Sequence, residues 1–234
     1  MQKNKIKILH QTENEIVVFK PSGIATQLSD DVKGSSLESM LKEHLGVNEL
    51  YFPHRLDRIT SGLLLVALNS ESIAFYNEQI KSINFQKYYV ACIDNHNKEI
   101  GTLQGTHKRF LKVDGNKAVI VRSGGKPSFL DILCIEPTDN KKDRYNILVR
   151  LITGRMHQIR VMLADLGLPL TGDHIYNKKA GKKDRLNENF YLESIILKFS
   201  DMDGNDHTFF YKENPDRKDF SPNMNIMLED IITY

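Results

Sequence analysis

The sequence predicts an α+β protein with a mixed, largely antiparallel sheet flanked by helices and long loops. Three observations carry that prediction. Apolar runs of strand length, bounded by Gly, Pro or Asn, recur along the chain. Amphipathic helical stretches are interspersed among them, and the two kinds do not follow the regular β-α alternation of a doubly wound sheet. With 234 residues, 40% hydrophobic and 26% charged, the chain has the apolar content for a sizeable core. No internal repeat and no low-complexity linker marks a boundary, so residues 1–234 are expected to form a single domain.

The elements follow in order. Glu15 to Lys20 reads as a strand stopped by the turn signal Pro21-Ser22-Gly23. Ser36 to Leu45 places Leu37, Met40, Leu41 and His44-Leu45 at helical spacing, with Gly46 at the expected C-cap. The short apolar run Leu63 to Leu68 reads as a buried strand, which puts Asp57 in the loop entering it. Ser70 to Lys81 looks helical, with Ile73, Ala74, Asn77 and Ile80 on one face. Lys87 to Ile93 is strand-like, and Asp94 to Lys126 reads as long hairpins or loops. Phe129 to Ile135 and Tyr145 to Ile152 are further strands.

After Thr153-Gly154, the residues Ile159, Met162, Leu163 and Leu166 repeat at i, i+3, i+4 and i+7, the stripe of an amphipathic helix closed by Gly167 and Pro169. On it His157, Arg160 and Ala164 share another face, so Arg160 is expected to point away from the core toward a neighbouring loop. Leu192 to Phe199 and a segment turning through Gly204 supply the last strands.

Composition excludes several classes. Cys92 and Cys134 sit among apolar residues and form no C-x-x-C pair, which reads as two buried thiols in a reducing cytoplasm. Met1 to His10 has no continuous apolar stretch, so no signal peptide is expected, and no segment is long enough to span a bilayer. A monomer is the default expectation. Net charge is only +2, so any nucleic-acid site must come from local clusters. One cluster holds Lys178, Lys179, Lys182, Lys183 and Arg185, and a smaller one Lys108, Arg109 and Lys112; taken alone, each reads as a solvated loop rather than a binding surface.

The run His54-Arg55-Leu56-Asp57-Arg58-Ile59-Thr60-Ser61-Gly62 concentrates chemistry. It sets a carboxylate among cations and hydroxyls at the edge of a core. Physics alone leaves open that Asp57 accepts hydrogen bonds from Thr60 or Ser61 in an Asx-type turn. His54, His157 and Asp173 lack ligand spacing, so no metal site is expected. With no P-loop and no dinucleotide fingerprint, no cofactor is expected either.

The stretch His54 to Leu65 resembles the signature of the RluA family of pseudouridine synthases at each of its fixed positions. The branch of synthases with Gly in place of His54 and Glu in place of Ser61 is set apart by the same residues. Lys20-Pro21-Ser22-Gly23-Ile24 resembles the family's Lys-Pro-x-Gly turn, and Lys87-Tyr88-Tyr89-Val90-Ala91 its Lys-x-Tyr-x-Ala strand. Gly154 to Arg160 resembles Gly-Arg-x-His-Gln-Ile-Arg, followed by Gly167-Leu168-Pro169 and Gly172-Asp173-x-x-Tyr176. One departure is Glu193, which stands where a His is usual.

The resemblance implies the catalytic domain of a pseudouridine synthase acting on ribosomal or transfer RNA, without the N-terminal RNA-binding domain many relatives carry. It implies Asp57 as catalytic carboxylate, Tyr89 as the tyrosine that stacks on the uracil, and Arg160 as the arginine that pairs with the aspartate. Arg55 resembles the arginine that enters the RNA stack when the base is flipped out. His54, Thr60, Gln158 and Leu192 are expected to line the substrate site, although turn hydrogen bonds would explain Gln158 and a core position Leu192. The Lys178 to Arg185 cluster is expected to meet RNA phosphates, in a structured stem-loop.

Overall fold

The computed structural model describes residues 6–28, 35–95, 100–138, 144–178, 190–214 and 220–233. The strands in chain order are β1 (Lys7–Gln11), β2 (Glu15–Lys20), β3 (Ser61–Ala67), β4 (Gln86–Asp94), β5 (Gly105–Asp114), β6 (Lys117–Ile120), β7 (Lys126–Pro137), β8 (Arg144–Leu151), β9 (Leu192–Ser200) and β10 (Asp206–Phe210). The helices are α1 (Leu37–Leu45), α2 (Ser70–Lys81), α3 (Gln158–Asp165) and α4 (Pro222–Thr233). Strand pairing is mixed and largely antiparallel, as the periodicity predicts. By contacts the chain divides into two compact units, Met1–Gln86 with Glu193–Lys212, and Lys87–Leu192 with Glu213–Tyr234. The chain passes between them at the starts of β4 and β9 and again after Lys212, and the first two crossings, lying within strands, leave no linker to see in the sequence.

In the first unit β1, β2 and β3 pair antiparallel in succession, β9 joins β3 in parallel, and β10 pairs antiparallel with β9. Every residue of β3 is buried, which explains its unbroken apolar run. Leu63, Leu65, Val17, Leu197, Phe199, Phe85 and Tyr76 form the core of this unit. Both helices are capped by their sequence. Ser36 and Ser39 form a reciprocal capping box on α1, whose end is turned by Gly46 in the left-handed region, and Asn69 with Ser72 does the same for α2.

Two expectations need correction here. The buried face of α2 is Ser72, Tyr76 and Gln79, while Ala74 and Asn77 are exposed. Polar anchors rotate the helix: the Tyr76 hydroxyl donates to the Glu15 carboxylate at 2.8 Å, and the Gln79 amide donates to the Ser200 carbonyl at 2.6 Å. A strand, β1, also precedes the first one expected, and its register on β2 contains a bulge between Ile8 and His10. That irregularity hides the period-two pattern.

In the second unit the order is β4-β8-β7-β5-β6, antiparallel throughout. The region read as long hairpins contains a ten-residue strand, β5, most of whose side chains are exposed. It lacks the apolar signal because one face meets water. The C-terminal helix α4, not expected from the sequence, buries only Met224 and Leu228.

β3 and β9 pair only through Ser61 with Glu193 and Gly62 with Ser194. There the strands approach closely. Gly62 has φ +119°, and a Cβ on it would lie 2.5 Å from the Ser194 nitrogen. Gly62→Ala is therefore expected to destabilise by about 3 kcal/mol, since backbone cannot yield as a side chain does. Urea denaturation checks this, and an unchanged midpoint would contradict the close approach.

Candidate active site

In the first unit the loop carrying Asp57 is fixed by side chains gripping its backbone. Thr26 Oγ1 donates to the Leu56 carbonyl at 2.8 Å and accepts from the Leu56 amide at 3.2 Å. Ser22 Oγ donates to the Ile59 carbonyl, the Gly23 amide donates to the Arg58 carbonyl, and Arg58 Nε donates to the Gly23 carbonyl. Lys20, fully buried, donates through Nζ to the carbonyls of Ile24 at 2.7 Å, Pro21 at 3.1 Å and Arg58 at 3.4 Å. One ammonium thus joins the turn after β2 to the Asp57 loop. Burial pushes it down to about 7, and the negative charge of Asp57 partly opposes that shift.

Asp57 itself is half-buried between exposed Arg55 and Arg58. Its backbone carbonyl, not its side chain, closes the turn by accepting from the Thr60 amide at 3.0 Å. Thr60 Oγ1 is buried and has no hydrogen-bond partner among the described residues. A Thr60 hydroxyl bond to the carboxylate therefore does not account for Asp57. His54 Nε2 accepts from the Leu65 amide at 3.2 Å, and its ring lies against Phe85, so His54 anchors the loop to β3 rather than presenting that nitrogen to a substrate.

In the second unit α3 supplies a buried cation. Arg160 is 3% exposed and forks onto Asp173, which is 0% exposed, with Nε to Oδ2 at 2.7 Å and Nη2 to Oδ1 at 2.9 Å. The guanidinium carbon stands 5.3 Å from the Tyr176 ring centroid and 5.7 Å from that of Phe190. Tyr176 is held in turn, its hydroxyl meeting His157 Nδ1 at 3.0 Å and accepting from the Ala118 amide at 2.8 Å. Asp173 Oδ1 also caps the turn by accepting from the amides of Ile175 and Tyr176. Arg160 meets a neighbouring loop, as expected, but is interior to this box, because a planar fork matched to a carboxylate stabilises a buried guanidinium better than partial hydration does.

Behind this loop stands Asp94, a residue the sequence did not single out. It accepts from Thr171 Oγ1 at 2.8 Å, Asn177 Nδ2 at 2.7 Å and Arg144 Nε at 3.2 Å, so it ties the segment carrying Asp173 to the end of β4. The partners lie 50 to 83 positions away. No local pattern signals such a residue.

Register separates the two tyrosines of β4. Tyr89 aligns with Val149, which aligns with Ile132 and then Gly105, while Tyr88 aligns with Arg150 and Asp131. By alternation Gly105 and Arg109 share a face of β5, and Arg109 Nε binds the Asp165 carboxylate of α3 at 2.6 Å. Tyr89 thus lies on the side of the sheet that meets α3, and Tyr88 on the opposite side. Lys87, two residues before Tyr89 and on its side, is 2% exposed, and burial pushes its ammonium down to about 8.

Gln158 makes the turn hydrogen bonds that the sequence left open as an explanation for it. Its Oε1 accepts from Thr153 Oγ1 and the Arg155 amide, its Nε2 donates to the Phe129 carbonyl, and the residue is buried, so it braces the turn into α3. That turn includes His157 at φ +50°, whose side chain makes no cap hydrogen bond. Leu192 is buried at the start of β9, and Lys178 is exposed. Lys179, Lys182, Lys183 and Arg185 lie outside the described residues.

Two outcomes follow from the buried charges. Asp173→Asn leaves Arg160 without its counter-charge and is expected to cost about 3 kcal/mol or more, read by chemical denaturation; a loss below half of that would show the pair to be solvated. For Lys87 the sign runs the other way. Its folded value of about 8 lies below 10.5, so folding releases its proton and stability rises as pH climbs from 8 toward 10.5. Lys87→Met is therefore expected to exceed the wild type by about 3 kcal/mol at most near pH 7, with the gap closing through that window. A gap independent of pH would contradict it.

Comparison with known proteins agrees with this architecture. The family model described as RNA pseudouridylate synthase matches residues 14–165. An uncharacterized RNA pseudouridine synthase of Haemophilus influenzae is 29% identical over 196 residues, covering 83% of this chain and 82% of its own. Ribosomal large subunit pseudouridine synthase C of Salmonella typhi is 29% identical over 203 residues, covering 82% of this chain and 61% of its own. Several relatives are longer, and the chain spans about 60% of their length. Human RNA pseudouridylate synthase domain containing 1 shares the fold, with a TM-score of 0.73 at 22% identity over 96% of this chain and 94% of that one. The chain belongs to the RNA pseudouridylate synthase family, isomerases that act on RNA.

Proposed function

We propose that this protein converts specific uridines of ribosomal or transfer RNA to pseudouridine, with Asp57 as the catalytic carboxylate. The observation that carries the assignment is the Asp57 loop. Three side chains, Lys20, Ser22 and Thr26, are spent on its backbone, Arg58 of the loop donates back to the Gly23 carbonyl, and the carboxylate is half-buried near a buried ammonium. Such preorganisation suits a group that must meet a reacting atom at fixed geometry.

The isomerisation breaks the bond between uracil N1 and ribose C1′ and joins C5 to the same carbon. The proton lost from C5 is balanced by one gained at N1, so no second substrate enters. A stacked uridine cannot present C1′ to a carboxylate, and the nucleotide must first leave the stack at a cost of a few kcal/mol. Tyr89 stacking on the base, worth about 1 to 3 kcal/mol, offsets that cost. Arg55, exposed beside Asp57, is the side chain to enter the vacated stack. Arg160 as the cation answering Asp57 belongs to the same proposal and rests on the motif resemblance.

We infer a structured stem-loop as the substrate, because its unstacked loop bases can be presented to such a site. Exposed Lys178 and the basic residues after it would meet its phosphates. The buried thiols Cys92 and Cys134 fit a cytoplasmic setting.

Asp57→Asn is expected to abolish pseudouridine formation while RNA binding stays within about threefold, since no phosphate contact is lost. Carbodiimide labelling with primer extension on cellular RNA from cells carrying each form maps the uridine and measures the loss. Undiminished pseudouridine with the variant would sink the assignment.

A further inference from the structure

We infer that Lys87 is a buried cationic seat for a phosphodiester oxygen of the RNA, next to the surface on which Tyr89 receives the base. This rests on the reading that the chain acts on a uridine in RNA.

The first observation is the state of the ammonium. Lys87 is 2% exposed, and no described residue gives it a hydrogen bond or an ion pair. Other buried cations in the fold are satisfied: Lys20 by three carbonyls, Arg160 by the Asp173 carboxylate. An ammonium removed from water without such partners destabilises the fold, and apolar side chains of similar size avoid that cost. Burial lowers its proton affinity without neutralising it at neutral pH, so the position holds a positive charge lacking a counter-charge among the described residues.

The second observation is what lies over it. The ammonium sits against Gly154, an exposed residue in the turn between β8 and α3. Gly154 is not in the left-handed region, and a Cβ built there would meet only Lys87 Nζ, at an ordinary 3.6 Å. Neither strain nor packing calls for glycine. A side chain at that position would cover the ammonium, so the glycine keeps the charge reachable from solvent. Lys87 is therefore recessed but open at its tip.

The third observation is position. Lys87 and Tyr89 project from the same face of β4, about 7 Å apart along the strand, a distance within the span of one nucleotide. Arg155, exposed beside Gly154, adds a cation at the opening. A phosphodiester carries a permanent negative charge and strong acceptor oxygens, and so matches a fixed cation better than the neutral edge of uracil does.

The test compares wild type, Lys87→Met and Gly154→Ala as full chains on an oligonucleotide spanning the mapped uridine. It is synthesised with ordinary linkages or with neutral methylphosphonates flanking that uridine. Lys87→Met is expected to melt no lower than wild type yet bind the ordinary RNA about tenfold more weakly, and Gly154→Ala to weaken binding in the same direction. On methylphosphonate RNA wild type is expected to fall to the level of Lys87→Met, which itself changes little.

A Lys87→Met protein that folds and binds normally overturns the inference, as does one that fails to fold, because the lysine is then structural. If the defect persists undiminished on methylphosphonate RNA and appears in kcat alone, the cation answers charge on the departing uracil, and the phosphodiester assignment is overturned. Failure of wild type to form pseudouridine at all would instead remove the underlying reading.

Discussion

The buried ammonium of Lys20 is the constraint on which the first unit's chemistry depends. A charge with no water around it must find oxygen acceptors, and the nearest are backbone carbonyls of two segments far apart in sequence, Pro21 and Ile24 on one side and Arg58 on the other. Satisfying the ammonium therefore forces the turn after β2 against the loop carrying Asp57. Ser22, Thr26 and Arg58 reinforce the same junction. The Asp57 carboxylate is thus placed by the groups that fasten its loop to the turn after β2.

The second unit follows the same rule with different residues. Arg160 is buried, so it takes a carboxylate fork from Asp173 and two aromatic faces. Asp173 lies in a segment with little regular structure, so Asp94 and Asn177 fasten that segment to β4. Each link exists because the one before it is out of water. Lys87 is the exception among the buried cations of the described residues, and an exception to a rule obeyed by Lys20 and Arg160 points outward, to a ligand.

Much of this was legible beforehand. The strand at Glu15–Lys20, the helix closed by Gly46, the buried run of β3 and the helix over Ser70–Lys81 all follow from local periodicity and capping. That Tyr88 and Tyr89 face opposite sides of the sheet follows from alternation and agrees with the observed register. One misreading has its cause in tertiary contacts. The face of α2 was inferred from an apolar stripe, yet it is set by polar partners elsewhere, Glu15 for Tyr76 and Ser200 for Gln79, and the partners of Arg160 and Gln158 are equally invisible to such patterns. Hydropathy patterns report which residues avoid water and say nothing about which buried polar groups find one another.

By itself the sequence determined the class of fold, the location of Asp57 in a loop before a buried strand, and the family, because these depend on neighbours within a few residues or on an uninterrupted motif. Only the tertiary structure decided that Lys20 holds that loop, that Asp173 encloses Arg160, that Gly62 is required by the approach of Ser194, and that Lys87 has no partner among the described residues. Those facts depend on contacts between residues up to about 130 positions apart, such as Gly62 and Ser194. The chain brings such residues together only when it folds, under the requirement that every charge it buries be answered.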